Sequence, residues 1–188
     1  KEGEVDPGDL TDQQKDMLSK ENMRHFLIAQ YEDVQTAVKW NNHLQSCAEK
    51  LPHGIPVNIS SDPRNGVADG SEEFKTGGLG ISKWPEGIGL SATFSTDTCK
   101  EFAQMASREY RALGIATALG PQIDLATEPR WFRGFDTFGG HTKLTTDMAK
   151  VYCDGMQTTH SSPDGWGEDS VVTMAKHWPG GGTGEGGR

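Results

Sequence analysis

The chain has 188 residues, of which 34% are hydrophobic and 24% are charged, and its formal net charge at neutral pH is −9. These values are typical of a single globular domain. The acidic balance argues against nucleic acid as a partner, because binding to phosphates requires a basic surface. No apolar stretch approaches the roughly 18 residues of a membrane span, so no membrane partner is predicted.

The cysteines also exclude several kinds of site. Cys47, Cys99 and Cys153 are too few and too widely spaced for a disulfide framework or a zinc site. We expect Cys47 and Cys99 to be core or boundary thiols, because both fall on helical apolar patterns. Neither a metal nor a cofactor is predicted from the sequence.

Apolar runs of strand length alternate with segments of helical periodicity along the chain. Residues 1–20 are predicted to be a lead-in segment, exposed over residues 1–12 and starting a helix at residues 11–14, and residues 21–188 are predicted to form the domain. The predicted strands are residues 25–29, 55–61, 115–119 with a continuation at 123–125, and 171–175. The predicted helices are residues 32–51, 95–113 with its cap at Ser95, and 144–156; residues 63–90, 126–140 and 161–168 are predicted to be irregular.

The resulting order, β-α-β-α-β-α-β, predicts parallel strands joined by helical crossovers. Polar or irregular segments follow three of the strands, at Asp62, residues 127–140 and residues 176–187. In a (β/α)₈ barrel such positions lie on the catalytic face. Because four strands are half a barrel, and a whole barrel takes about 250 residues, the chain is either an open sheet or the amino-terminal part of something larger.

The last predicted strand leads into Lys176 and His177, and then into a glycine-rich segment at residues 180–187. Lysine supplies three donors, and histidine supplies a donor or an acceptor near neutral pH, so the two together can hold vicinal hydroxyls. A disordered tail is one alternative interpretation of the glycines, and a phosphate-binding loop is another. The phosphate alternative lacks the Lys-Ser or Lys-Thr and the helix that should follow the glycines.

Three stretches, in the same order along the chain, resemble glycoside hydrolase family 3. Residues 175–182, Ala-Lys-His-Trp-Pro-Gly-Gly-Gly, resemble the Lys-His-Phe-x-Gly-x-Gly segment of that family. Residues 127–133 are similar to its Asp-Pro-Arg-Trp-Gly-Arg. Residues 54–62 and 84–93 look like its strand-plus-Asp and Phe-Pro-x-x-Ile-Gly-Leu-Ala-Ala-Thr stretches, and residues 112–124 fit the segment between. The resemblance covers roughly residues 20 to 188.

The resemblance implies an α/β fold, the first half of a (β/α)₈ TIM-type barrel that is incomplete in this chain. It also implies a retaining β-glycosidase that removes terminal non-reducing sugars, most simply glucose, from β-glycosides or oligosaccharides. In such an enzyme one carboxylate attacks the anomeric carbon and a second acid protonates the leaving oxygen. Asp62, Arg133, Lys176 and His177 match the family positions that hold the hydroxyls of the sugar. Secretion or residence in the periplasm is expected by resemblance alone.

The sequence departs from the family pattern at several positions. The Ser-Asp-Trp-like segment that carries the nucleophile does not occur before Arg188, so the nucleophilic Asp is expected downstream of this residue. The 188 residues alone are therefore expected to be inactive, and the remainder of the polypeptide is needed to complete the barrel. Glu128 and Phe132 stand where the family has Asp and Gly, and the acid/base cannot be identified. The lack of an Asp-x-His dyad in residues 183–188 favours a glucosidase or xylosidase over an N-acetylglucosaminidase.

Other interpretations stay open at this point. The chain could be a noncatalytic sugar-binding half-barrel, or a nucleotide-binding α/β domain that uses the terminal glycines. Asp62 precedes Pro63 and could be a turn residue, and Arg133 could form a structural ion pair, although Arg130 is the better candidate for that role. His141 and His160 carry no motif, and Trp84 and Trp131 are predicted to pack rather than to stack on a sugar.

Overall fold

A computed structural model describes residues 6–66 and 80–187 of the chain. Its strands are β1 (His25–Leu27), β2 (Asn58–Ser61), β3 (Thr117–Ala118) and β4 (Val172–Thr173), and they form one sheet in the order β1-β2-β3-β4. Every neighbouring pair is parallel, as the sequence predicts. All four strands therefore have their carboxyl ends at one edge, where the segments that follow them meet.

The helices are α1 (Asp12–Ser19), α2 (Val34–Glu49), α3 (Gly87–Ser91), α4 (Thr96–Leu113) and α5 (Thr142–Gln157). The predicted alternation of strands and helices is confirmed, with α2, α4 and α5 as the crossovers between successive strands. Helix α3 is a short addition inside the predicted irregular segment 63–90, of which residues 67–79 lie outside the described residues. A 3₁₀ helix at Gly134–Asp136 lies within the predicted irregular segment 126–140.

Local sequence signals explain where the main helices begin and end. The side chains of Asp33, Ser95 and His141 each accept a hydrogen bond from the first turn of α2, α4 and α5, respectively. Helix α4 ends at Gly114, whose φ of 78° is left-handed. A Cβ there would also lie 1.6 Å from the side-chain nitrogen of Asn41, which donates to the carbonyl of Leu113. Only glycine fits this position.

The core extends from α1 and α2 to the space between the sheet and the helices α4 and α5, which pack closely along their length. Helix α4 buries Phe102, Ala103, Ala106 and Tyr110 along the stripe that its periodicity predicts. At Gly155 of α5 a Cβ would lie 2.7 Å from the Cβ of Ala103 and 2.9 Å from the carbonyl of Lys100. Such close approach of two helices maximises apolar contact at the centre of the molecule.

The structure corrects three predictions about the chain. Ile55 and Pro56 are exposed and β2 begins only at Asn58, because pairing with β1 begins there. Residues 123–125 do not continue β3; beyond Gly120, the pairing along this segment is a single bridge between Gln122 and Lys176. The lead-in is not wholly exposed, since Leu10 is 1% exposed and belongs to the core. The division at residue 20 stays a prediction.

The sheet is open within the described residues. There β1 and β4 are the edge strands, each paired with one neighbour. Leu27 of β1, Val172 of β4 and the nearby Met174 are 44–56% exposed, which is unusual for large apolar side chains in a sheet. Among the helices of the described ranges, none is long and apolar enough to cross a membrane.

Candidate functional site

The four predicted site residues lie at the carboxyl edge of the parallel sheet. Asp62 directly follows β2, Arg133 lies in the segment between β3 and α5, and Lys176 and His177 follow β4. The fold brings them together into two contacting pairs, although they are far apart in sequence. This edge is where α/β folds with parallel strands bind their ligands.

Asp62 and Lys176 form an ion pair through Oδ1 and Nζ. Their side chains are 26% and 18% exposed, so the pair is only partly shielded from solvent. The carboxylate can accept hydrogen bonds and the ammonium can donate them, and a ligand hydroxyl does both. Asp62 also lies in a turn, since its carbonyl accepts from the N–H of Arg64 at 2.9 Å. The turn leaves this charged side chain in contact with Lys176, which follows β4, two strands away in the sheet.

His177 lies between a carboxylate and a guanidinium, and its contacts with them indicate which of its ring nitrogens carries the proton. Nε2 is 3.3 Å from Nη1 of Arg133, and Nδ1 is 3.3 Å from Oδ2 of Asp124. Arginine only donates and an ionised carboxylate only accepts. The contacts therefore fit a neutral imidazole with its proton on Nδ1 and with Nε2 as an acceptor, and Arg133 and His177 face the same side of the site.

Asp124 is a residue in contact with the site that the sequence analysis did not select. Its side chain is fully buried, and it accepts from the backbone N–H of His177 at 3.0 Å and from that of Gly181 at 2.5 Å. Burial alone would raise the pKa of Asp124, but these donors and the His177 ring outweigh it and hold the pKa below its usual range. An Asp between two apolar residues, Ile123 and Leu125, was the available signal, because a buried charge needs partners.

The glycine-rich segment after His177 is packed against the preceding loop. Gly182 touches Trp131, since a Cβ at this glycine would lie 2.0 Å from Cδ2 of the indole. The N–H of Leu125 donates to the carbonyl of Pro179, and Gly181 donates to Asp124. These contacts oppose both alternatives for the glycines, because the segment is packed and one of its N–H groups is already bonded to a carboxylate. Trp131 is 8% exposed, as expected for a packing residue.

A second charged cluster lies beside the first and was also missed. Nε of Arg64 is 2.9 Å from Oδ1 of Asp136 and 3.2 Å from Oε2 of Glu86. Burial, and then a hydrogen bond with Glu86, raise the pKa of Asp136 to about 8 despite the opposing effect of Arg64. We call Arg64, Glu86 and Asp136 the Arg64 cluster.

Four other residues named in the sequence analysis make defined contacts around the site and in the core. Arg130 pairs with Glu128 at 2.7 Å and lowers the pKa of that carboxylate to about 2, which confirms a structural role for Arg130. His141 caps α5 through Nδ1. Trp84 packs edge-on against Phe102, as predicted. Phe132, where the family pattern has Gly, is 61% exposed, and its ring centre is 5.9 Å from Cζ of Arg133.

The family model described as "Glycosyl hydrolase family 3 N terminal domain" matches residues 4–188. The chain belongs to glycoside hydrolase family 3. "Beta-glucosidase C" of Emericella nidulans is 37% identical over 189 aligned positions, which cover 99% of this chain and 29% of the relative. "Periplasmic beta-glucosidase/beta-xylosidase" of Dickeya chrysanthemi is 43% identical over 146 residues, 74% of this chain and 21% of the relative. The chain thus spans less than a third of these relatives' lengths.

A solved structure shows the same fold. A glycoside hydrolase family 3 β-N-acetylglucosaminidase from a Paenibacillus species matches with a TM-score of 0.73, over 92% of this chain and 30% of that chain, at 20% identity. The predicted fold class is therefore confirmed: the chain matches the family 3 amino-terminal domain, which has a TIM-barrel-like α/β fold, and its four-stranded sheet is not closed within the described residues. Membership of family 3 also argues against the alternative that the chain is a nucleotide-binding α/β domain.

Proposed function

We propose that the polypeptide carrying this chain hydrolyses terminal non-reducing β-D-glucosyl residues from β-glycosides or oligosaccharides with retention of configuration. The observation that supports the proposal is the convergence of Asp62, Lys176, Arg133 and His177 at one edge of the sheet. An acceptor, two cations and a neutral imidazole in such proximity suit the alternating hydroxyls of a sugar better than they suit a charged ligand.

In this proposal the four residues bind and orient the terminal sugar. Asp62 accepts hydrogen bonds from two neighbouring hydroxyls, and Lys176 donates one to the oxygen of one of them, so the existing ion pair opens to admit the ligand. Nε2 of His177 accepts a hydrogen bond from a hydroxyl, and Arg133 donates a hydrogen bond beside it. Hydrogen bonds of this kind strengthen as the sugar gains oxocarbenium character, and they therefore contribute to catalysis as well as to binding.

The nucleophile in this proposal is a carboxylate from beyond Arg188. Asp62 is engaged by Lys176, and Asp124 is fully buried under two backbone donors and His177. A buried carboxylate cannot reach an anomeric carbon, and one that binds hydroxyls is placed beside the ring substituents. Retaining enzymes place their two catalytic carboxyl groups about 5 Å apart, on either side of the scissile bond.

We also infer that the 188 residues require the rest of the polypeptide to be active. The relatives are more than three times as long as the matched part, and the exposed apolar side chains Leu27, Val172 and Met174 lie at the two edge strands. Further strands that pair with these edges would cover them and close the barrel. A noncatalytic sugar-binding half-barrel remains the alternative if the longer polypeptide proves inactive.

β-Xylosides are the second candidate substrates. A relative at 43% identity is named for both β-glucosidase and β-xylosidase activity. Xylose differs from glucose by the absence of the CH₂OH group, so the same four residues can hold either sugar. The choice between them falls to residues that contact that group.

The test is a comparison of kcat/KM for 4-nitrophenyl β-glucoside and β-xyloside with the full-length protein. We expect hydrolysis of both, faster for the glucoside, with the β-anomer as the first-formed product. An inactive full-length protein that still binds glucose would favour the noncatalytic alternative. An α-anomeric first product would contradict the retaining mechanism.

A further inference from the structure

The Arg64 cluster lies beside the four proposed sugar-binding residues and joins two of the segments that build the site, the one between β2 and α3 and the one between β3 and α5. Arg64 lies two residues after Asp62 and donates its backbone N–H to the Asp62 carbonyl at 2.9 Å. Glu86 immediately precedes α3 and accepts from the N–H of Gly66 at 3.2 Å. Asp136 ends the 3₁₀ helix that begins directly after Arg133. The contact between Arg64 and Asp136 therefore connects the segment that begins with Asp62 to the segment that carries Arg133.

The charges of the Arg64 cluster do not balance if both acids are ionised. The side chains of Arg64, Glu86 and Asp136 are 11%, 16% and 7% exposed, so all three are largely removed from water. One guanidinium then faces two carboxylates, and a second buried negative charge is costly without a partner of its own. Asp136 reduces this cost by keeping its proton, which it shares with Glu86 in a hydrogen bond.

Lys176 is the other charged group that faces Asp136. Both line a small cavity of about 50 Å³, together with Arg64, Glu86 and the aromatic ring of Tyr152. Across this cavity Asp136 attracts Lys176, in competition with Asp62 on the other side. Helix α3 packs against Asp136 from a third direction with the backbone of Gly87, which brings no charge. Within the described residues, the charge on Asp136 is therefore governed by its burial and by the neighbouring charges of Arg64, Glu86 and Lys176.

We propose that Arg64, Glu86 and Asp136 form a positioning cluster whose shared proton keeps Lys176 directed at Asp62 and the sugar. Loss of that proton gives the cluster a net negative charge, which draws Lys176 across the cavity and weakens its hold on a hydroxyl. The proton is held at neutral pH and is lost as the pH rises through about 8, the pKa of Asp136. The proposal rests on the proposed function, because it assumes that Lys176 binds the sugar.

The experiment measures the inhibition constant of D-glucose from pH 6 to 9 in the full-length protein and its Asp136→Asn variant. Glucose does not titrate in this range. We expect wild-type inhibition to weaken by about three- to tenfold between pH 7 and 9, in line with the loss of one linked proton. Asp136→Asn mimics the protonated acid, so its inhibition constant should stay within about twofold over the same range. Glu86→Gln should flatten the profile as well, since Arg64 then faces one carboxylate.

Controls separate this idea from a merely structural role and from the proposed function. Asp147→Asn removes an exposed acid on α5 and should reproduce the wild-type pH profile. The melting temperature gives a readout that does not depend on activity. Because the pKa of Asp136 is raised in the folded protein, wild-type stability falls as the pH rises from about 4 to about 8. The melting temperature of Asp136→Asn should therefore rise relative to that of wild type across this pH range.

A wild-type protein that hydrolyses no glycoside and binds no glucose would remove the proposed function, while the melting comparison would still test the shared proton. If the inhibition constant of D-glucose has the same pH dependence in wild type and in Asp136→Asn, the positioning role is overturned. Parallel profiles in the melting temperature would overturn the shared proton itself.

Discussion

The helical layer and the loop layer of this domain are held together by different forces. Helices α4 and α5 meet through apolar side chains and Gly155, with Cys99, Ala103 and Met148 fully buried between them. The loops at the carboxyl edge of the sheet are held by charges, among them the Asp62–Lys176 pair and the donors around Asp124. The packing of the helices depends on the shapes of apolar side chains, whereas the loops depend on the charges and hydrogen-bonding groups of their side chains. Substitutions in the first layer should therefore change stability, and those in the second should change sugar binding.

The largest effect is expected from Gly155→Val in the helical layer. The new side chain would meet Ala103 and the backbone of Lys100, and it can be accommodated only by separating α4 from α5. We expect a loss of about 3 kcal/mol in the free energy of unfolding, measured by urea denaturation of the full-length protein. Gly165→Val is the matched control, since nothing lies within 4 Å of a Cβ at Gly165. Equal stability of the two variants would contradict the packing described for α4 and α5.

Gly182→Ala should affect the loop layer next most strongly. Its Cβ would overlap Trp131, so the glycine-rich segment must move and His177 with it. We expect KM for the aryl glucoside to rise by about tenfold, with a loss of stability of about 1–3 kcal/mol. A variant with a lower melting temperature but an unchanged KM would show that this segment does not position His177.

Ser95→Ala is expected to have the smallest effect, and only on stability. The Ser95 hydroxyl oxygen accepts from the N–H of Thr98 at the start of α4, away from the charged loops. Loss of this cap should cost about 1 kcal/mol in the free energy of unfolding. Thermal melts and steady-state kinetics on one preparation check both halves of the prediction. A change in KM would mean that the two layers are not separable in the way described.

The sequence predicted the helices better than the strand limits. Periodicity placed α2, α4 and α5 within two residues of their observed ends, because an amphipathic stripe is a local property of the chain. The limits of β2 and β3 depend on which residues find a partner strand. Ile55 has strand-like character but no pairing, and the chain leaves β3 soon after Ala118. Such limits are set by tertiary contacts.

The candidate site was predicted only in part, for a similar reason. Asp62, Arg133, Lys176 and His177 lie in stretches that resemble a known family, and the fold brings them into contact. Asp124 was not selected from the sequence, because the backbone N–H groups that donate to it lie 53 and 57 residues away along the chain. The members of the Arg64 cluster come from two separate loops and carry no motif. Only the folded chain reveals that two acids share one guanidinium.

The central claim, that Lys176 holds the sugar, is tested most directly by the affinity of the full-length protein for D-glucose. Calorimetric titration would compare wild type with Lys176→Met, which keeps the length of the side chain and removes its charge. Lys143→Met is the control, because that exposed lysine lies on α5 and pairs only with the nearby Asp147 in the described residues. We predict a loss of about 10- to 100-fold in affinity for Lys176→Met, equivalent to one charged hydrogen bond, and none for the control. Equal affinity in all three proteins would contradict the account.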